Sequence, residues 1–535
     1  MDNWKKFTAI LLLFCGVYFP IQGQNYVINR GGGFMLPYEK YAFLSGKNIH
    51  TSTLPYTTSD FSKTVLDSID SIIGFPKAYS KSLNWFVNKP FAQKTDKNSS
   101  IVISPILEMG IAMGLKGASR LNYELALGLN LAGALSKKLS YSLQGVGFQG
   151  KYQNYLATYI KEHNVIPGTG YAYGNGVGGR YSTYNLSGYV AYNPNHYFTA
   201  TLGHGKHFVG DGYRSLLLSN NANNYNYLKL DVNFWKLKYW VLYTRMTDIS
   251  ASAGQMSKFV TKYSTIHYLD VLIGKRFSFG AFESVVWENK NPDGSTRGFE
   301  INYLNPFIFF RPVEYSLGSP DNVLMGANLR ARFLKRQVFY MQIVLDEFLF
   351  KEVLARKGWW ANKQGFQVGL KGYDLLGTKG LFYQGEINYV RPYTYTHYQI
   401  TQNYANFNQP LAHPLGANFM EALGRLIYQK EKHSIEAKLI YAIYGTDTDS
   451  TNYGGNVYKP YTSRPSEYGN HVGQGLKSTS VYAELKYSLL LNRKWNLMFE
   501  TGLAIRMNKN TTIATNETYL NIGFRTTLPG RYTDF

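Results

Sequence analysis

Along most of this chain apolar and polar residues alternate one for one over runs of about ten positions, the period of an extended strand with unlike media on its two faces. In Tyr123–Leu131, the side chains of Tyr123, Leu125, Leu127, Leu129 and Leu131 share one face, and Glu124, Ala126, Gly128 and Asn130 share the other. From Ile106 to Lys116, Met109, Ile111, Met113 and Leu115 alternate with Gly110, Ala112 and Gly114. The same alternation marks Tyr227–Phe234, Leu237–Tyr243, Val323–Phe333, Phe366–Lys371, Ile435–Ile443 and Val481–Tyr487. The pattern predicts an all-β protein, a transmembrane antiparallel outer-membrane β-barrel with one strand face in lipid and the other toward the lumen. At roughly two dozen residues per hairpin, the chain from about Ile101 holds about 16 to 18 strands, an even number by barrel closure, with 18 favoured. The terminal strand Tyr519–Leu528 is expected to close against the first, and Pro529 makes the last residues a tail beyond it.

Two regions depart from the alternation. Lys5 and Lys6 precede an apolar run from Phe7 to Phe19, and Gly23 follows, so residues 1–23 read as a signal peptide. Leu12-Leu13-Phe14 places a bulky residue ahead of Cys15 and argues against lipid attachment there. Cys15 is the one cysteine, so a chain cleaved at Gly23 has neither disulfides nor thiolate metal sites. Residues 24–100 read as a helical N-terminal extension, periplasmic or lumenal, ahead of a barrel over 101–535. In it Ser59-Asp60 can cap a helix aligning Phe61, Val65, Ile69 and Ile72, and Pro76 can start a second aligning Tyr79, Leu83 and Phe86. The extension plugs the pore, docks a partner or packs on the rim.

Composition sharpens the membrane assignment. Mean hydropathy is −0.26, as expected when only alternate strand residues need be apolar. The 46 tyrosines suit the aromatic girdles of a barrel. Formal charge is +22, and loss of Asp2, Lys5 and Lys6 with the signal leaves +21, all of which must face water or the lumen. Lipopolysaccharide phosphates and acidic surface polysaccharides are the anionic partners this charge suggests, rather than nucleic acid; solvated basic loops are the plain alternative. Arg330 and Arg332 share the lumenal face of Val323–Phe333 with Asn328, and Arg311 joins them as a lumenal cation. The Gly/Tyr/Asn-rich stretches Ile166–Tyr184, Leu218–Tyr225 and Thr446–Lys477 are candidate surface loops, suited to sugars by stacking and adaptable hydrogen bonds.

No catalytic constellation stands out. His204 and His207 are three apart, so on a strand they point to opposite faces, and no HExxH or cysteine partner supports a metal site. Gly203-x-Gly205-Lys206 lacks the spacing of a phosphate loop; Lys206, Asp211 and Arg214 read as a lumenal or rim polar network. Adjacent Asp346 and Glu347 diverge on a strand and cannot flank one glycosidic bond, and these two acids and Glu386 are expected to pair with lumenal arginines such as Arg311 or Arg330. There is no Gly-x-Ser-x-Gly turn. The expectation is a non-enzyme with no cofactor and no metal.

The densest motif runs Gly385-Glu386-Ile387-Asn388-Tyr389-Val390-Arg391-Pro392-Tyr393-Thr394-Tyr395-Thr396-His397-Tyr398, then Gln409-Pro410-Leu411-Ala412-His413-Pro414-Leu415-Gly416. Together with Gly205–Ser219, Asn305–Glu314 and Gly358-Trp359-Trp360-Ala361-Asn362-Lys363, it resembles the RemB group of Bacteroidota gliding-motility proteins, itself similar to the Wzi-type capsule-assembly barrels, whose PL-x-HPLG element matches Pro410–Gly416. The resemblance implies a barrel that tethers capsular polysaccharide or serves surface adhesion and gliding. From the residues themselves, Pro392, Pro410 and Pro414 cannot donate ladder bonds, so Arg391–Gly416 should be an ordered excursion between strands. Arg391, Tyr393, Tyr395, His397, Tyr398 and His413, with Lys206 and Arg214, are the candidate polysaccharide-binding residues; packing of a loop into the barrel is the alternative use of the same rings. The overall expectation is a monomeric integral outer-membrane barrel with a loop-occluded, basic, aromatic-lined interior, surrounded by outer-membrane lipid and lipopolysaccharide. A porin-like transport barrel or an accessory subunit of an outer-membrane secretion or assembly complex is the competing class, and a periplasmic or secretion/gliding-machinery protein is the partner it would take.

Overall fold

The computed structural model describes residues 32–72, 89–96, 98–174, 177–252, 254–291, 293–307, 321–448, 451–526 and 532–535. Eighteen antiparallel strands, from Ser100–Lys116 to Ala514–Arg525, close into one barrel. Closure joins the last strand to the first, with Phe524 opposite Met109 and Tyr519 opposite Gly114. Below that seam the short strand Ala92–Thr95 pairs with Ser100–Ile103, extending the first strand's ladder where the last strand has ended. The alternation read from the sequence sets the facing of the strands: Leu125, Leu127 and Leu129 are exposed outward, whereas Ala126 between them is buried. Met109, Ile111, Met113 and Leu115 point outward in the same way. An apolar outer band on a closed barrel has no unpaired edge and fits lipid, so the protein is an integral outer-membrane barrel.

Connections at one end are tight turns and at the other mostly long loops, which makes them the periplasmic and extracellular ends respectively. Residues 34–61 of the N-terminal segment lie in the lumen near the periplasmic end. Leu36 and Phe43, on the helix Leu36–Leu44, pack with Val338, Tyr373, Phe382 and Ile427 of the barrel wall. Thr53–Leu54 pairs with Phe208–Val209, a loop that enters from the opposite end. His50 bonds Asp270, and Thr51 bonds Asp211 and Arg330. The expected helix over Phe61–Ile72 starts at Lys63 instead, because Thr57 and Asp60 cap a short 3-10 turn ahead of it. Phe61 and Ile69 are buried, whereas Ile72 is exposed and does not join their face. The expected helix from Pro76 and the signal segment lie outside the described residues.

The lumen is filled by loops. Residues 206–224, read partly as a surface loop at Leu218–Tyr225, fold inward, and Leu216, Leu217 and Leu218 are fully buried. They share one apolar cluster with Tyr395, Tyr404 and Leu411 from the Arg391–Asn418 excursion and with wall residues Trp240, Tyr268 and Phe419. An inward loop satisfies its backbone only if partners await it: Gln342 on the wall accepts from Leu216 N and donates to Val209 O, and Ser219 bonds Leu411 and Ala412. The chain end returns inside as well. Tyr155 of the helix Asn154–His163 donates to Thr533 O, and Arg506 donates to Phe535 O.

Candidate functional site

Two groups of polar and aromatic side chains result from this filling, one deep and one at the outer mouth. In the deep group Arg214, fully buried, donates Nε to Glu421 (3.2 Å) and Nη1 to Asp534 (3.0 Å). Its guanidinium lies 5.1 Å from the Tyr213 ring centre and 5.0 Å from that of Tyr532. Lys438 donates to the other Asp534 oxygen at 2.8 Å, and His413 Nε2 lies 3.0 Å from Glu421. Burial alone would raise the Asp534 carboxyl, but Arg214 and Lys438 hold it well below the ordinary carboxylate range. Glu386 accepts from the backbone of Tyr213 and Arg214, from Tyr340 and from Asn388. Each charge here is spent on a partner, so the group is a lock between the loop at 206–224, the wall and the C-terminus.

The outer group is built from three loops. Trp360, from residues 346–363, lies with its ring centre 4.7 Å from that of Tyr461, and Arg464 sits 3.9 Å over its face. His397 and Tyr398 of the Arg391 excursion join edge-on to Tyr461 at 6.0 and 6.4 Å. Beneath, fully buried Lys363 is flanked by Asp346 (3.3 Å) and Glu347 (3.0 Å) and lies 4.7 Å from the Tyr461 ring centre. Burial, partly offset by Lys363, lifts the Asp346 carboxyl to about 6, and burial aided by Lys363 lowers His397 to about 3. Trp359, Tyr398 and Tyr461 are half-buried and Tyr468 is exposed, so this cluster presents ring surface to the outside, while Arg464 donates Nη1 to Tyr461 O (3.1 Å) and pairs with Glu467.

The sequence-derived residues divide between these groups. Arg391 gives Nε to Asn362 O (2.8 Å) and Nη2 to Trp359 O (3.1 Å), tying the outer loops together through backbone. Tyr393, Tyr395 and His413 are fully buried and His397 nearly so; Tyr398 keeps a half-buried ring. Tyr395 donates to Leu216 O and Tyr393 to Asn452 O. Lys206 donates to Gly168 O and Asn220 O, apart from Arg214 and from Asp211, which accepts from Thr51 and Asn328. Arg330 and Arg332 do face the lumen, donating to Thr51 Oγ1 and Leu44 O; Arg311 lies outside the described residues.

The expected pairing of acids with lumenal arginines is corrected. Asp346 and Glu347 follow the strand rather than lie on it, so their side chains converge on Lys363, and Glu386 takes backbone and neutral donors. Pro410 pairs with Ala405 in a two-residue hairpin inside the excursion, its missing donor notwithstanding. Trp359, Trp360, Tyr461 and Arg464 were not among the predicted site residues; adjacent tryptophans in one loop and a Tyr-x-x-Arg in another were the available signal. His204 and His207 bond Asn226 and Tyr225, and among the described residues no group of three or more His, Cys, Asp and Glu is placed to hold a metal.

No protein-family model and no curated protein sequence matches this chain. Among solved structures it is similar to Wzi, an outer-membrane protein involved in group 1 capsule assembly in Escherichia coli and described as a carbohydrate-binding β-barrel. That match has a TM-score of 0.55 and 14% identity, and covers 94% of this chain and all of the other. OprD from Pseudomonas aeruginosa matches at a TM-score of 0.42 and 9% identity, over 83% of this chain and 98% of that one. OccAB2 from Acinetobacter baumannii matches at 0.44 and 11%, over 80% and 97%. At such identities the likeness establishes the fold, that of a Wzi-like outer-membrane barrel.

Proposed function

We propose that this barrel is a non-catalytic attachment and assembly point for acidic surface polysaccharide, held at the outer mouth by Trp359, Tyr398 and Tyr461 with Arg464. The observation that carries the reading is a set of half-buried rings, Trp359, Tyr398 and Tyr461, grouped around buried Trp360 with Arg464 over it, standing over a lumen filled with the protein's own loops. Sugar rings present C–H faces that pack on aromatic surfaces, and a glycan carboxylate can take the place of the exposed Glu467 on Arg464, so the platform suits an acidic glycan. The shared fold with a carbohydrate-binding capsule-assembly barrel agrees with it. A role in gliding-associated adhesion uses the same contact with the same class of ligand. A porin-like role needs a water-filled path, and the packing of Leu216–Leu218, Tyr395 and Phe419 across the lumen speaks against that class.

The test is retention of extracted acidic surface polysaccharide by the purified, folded barrel. Trp359→Ala combined with Arg464→Gln should lower retention by roughly tenfold or more, since a stacked ring and a charge-assisted pair each contribute on the order of 1 kcal/mol. Heat-modifiable migration should be unchanged. Undiminished retention in a folded double variant would remove this platform from the mechanism.

A further inference from the structure

The excess positive charge is not where the outer ligand would draw it. Among the described residues, the nine connections at the extracellular end hold 14 Lys and Arg against 10 Asp and Glu. The eight tight turns at the periplasmic end are far shorter, yet they hold 11 against 2. Turns 135–138, 274–276, 334–336 and 493–496 carry two cations each; turns 235–236, 374–380 and 431–432 carry one each. Only 193–197 has neither Lys nor Arg. The acids are Asp374, which is spent on Lys40 (2.5 Å) and Arg336 (3.3 Å), and Glu431.

A large apolar side chain accompanies the charge. Leu135, Trp235, Leu334 and Leu376 are 62, 67, 73 and 94% exposed in these same turns. Between turns 334–336 and 374–380 there is a recess of about 230 Å³ lined by Lys335, Arg336, Tyr373, Tyr383 and Leu376. We propose that the periplasmic rim is a binding site for the phosphate groups of anionic phospholipids in the inner leaflet of the outer membrane, with this recess as one seat. Cations at headgroup height attract such phosphates, and exposed leucine and tryptophan beside them enter the acyl boundary. A soluble acidic partner would need the cations gathered on one patch. Here they follow the turns around the circumference, each beside the bilayer, and the apolar tips would be wasted on water.

Full-length protein in neutral detergent should be offered phosphatidylglycerol, phosphatidylcholine, inorganic phosphate or polyglutamate, with retained ligand counted by native mass spectrometry. Wild type should keep phosphatidylglycerol over phosphatidylcholine. The variant Lys275→Gln/Arg276→Gln/Lys335→Gln/Arg336→Gln should lower that preference by about tenfold or more, near-surface cations being worth roughly fivefold apiece. Lys137→Gln/Lys138→Gln/Lys379→Gln should act in the same direction. The outer-loop control Lys351→Gln/Arg356→Gln/Lys357→Gln should leave it intact. Equal retention of the two lipids, an equal loss in the outer-loop control, phosphate binding without lipid preference, or retention of polyglutamate in place of phosphatidylglycerol would each overturn the proposal.

Discussion

Tyr393 and Tyr395 have φ of +66° and +71°, a left-handed backbone that bulky side chains avoid. Both are fully buried, so the strain is held by contacts: Tyr393 N donates to Gly454 O, and Tyr395 N donates to Asp346. Gly454, itself at φ +78°, has no room for a Cβ, which would lie 2.6 Å from Tyr393 N. Gly454→Ala should therefore destabilise the outer loops by about 1 to 3 kcal/mol, read as a lower midpoint in chemical denaturation. Arg214 is the second over-determined residue. Arg214→Ala strands Glu421 and Asp534 without their shared cation and should cost about 3 to 5 kcal/mol, the range for breaking a buried ion pair from one side. Arg391→Ala should reduce glycan retention indirectly, because the guanidinium positions Trp359 through that residue's carbonyl. Such a loss should be accompanied by faster proteolysis of the outer loops, whereas Arg464→Gln should lower retention without it.

At the scale of elements, the outer loops should respond to acid with a sign set by two groups. His397 is lowered to about 3 from an ordinary value near 6.5, so its neutral ring stabilises the folded loop above pH 6.5 and that contribution is lost as pH falls toward 3. Asp346 is raised to about 6, which works oppositely: its contribution is full below the ordinary carboxylate value near 3.9 and lost as pH rises through 6. The histidine shift is the larger, so protease resistance of the Arg391–Asn418 excursion should fall on acidification from pH 6.5 to 3. In Asp346→Asn the opposing group is gone, and the fall should be steeper. A wild-type loop that gains resistance on acidification would contradict this assignment. The strands were legible because their signal is local, a period of two that each segment carries within itself, as in Tyr123–Leu131. The filling of the lumen was not, because it rests on pairings such as Thr51 with Asp211 and Arg214 with Asp534, 160 and 320 residues apart. The last strand ends at Arg525, Pro529 lies outside the described residues, and nothing local in Tyr532–Phe535 marks them as a segment that returns into the lumen.

At the scale of the whole molecule, the same rings serve two purposes that sequence does not separate. Tyr393, Tyr395 and His413 have the composition of a sugar site yet lie inside, closing the barrel, while Trp359, Tyr398 and Tyr461, around buried Trp360, keep ring surface toward the outside. Which side of a loop meets water depends on where the loop goes, and the Arg391 excursion goes inward. The result is a barrel closed by segments from both ends: Leu36–Leu54 near the periplasmic end, residues 206–224 and 391–418 from outside, and the C-terminus between them. A molecule built this way offers an exterior to bind with rather than a path to pass through. The most direct test is the conductance of the full chain in a planar bilayer. The account predicts a silent protein, with no steady current above the bare membrane; a stable, large conductance from the folded barrel would contradict it and turn the reading toward transport.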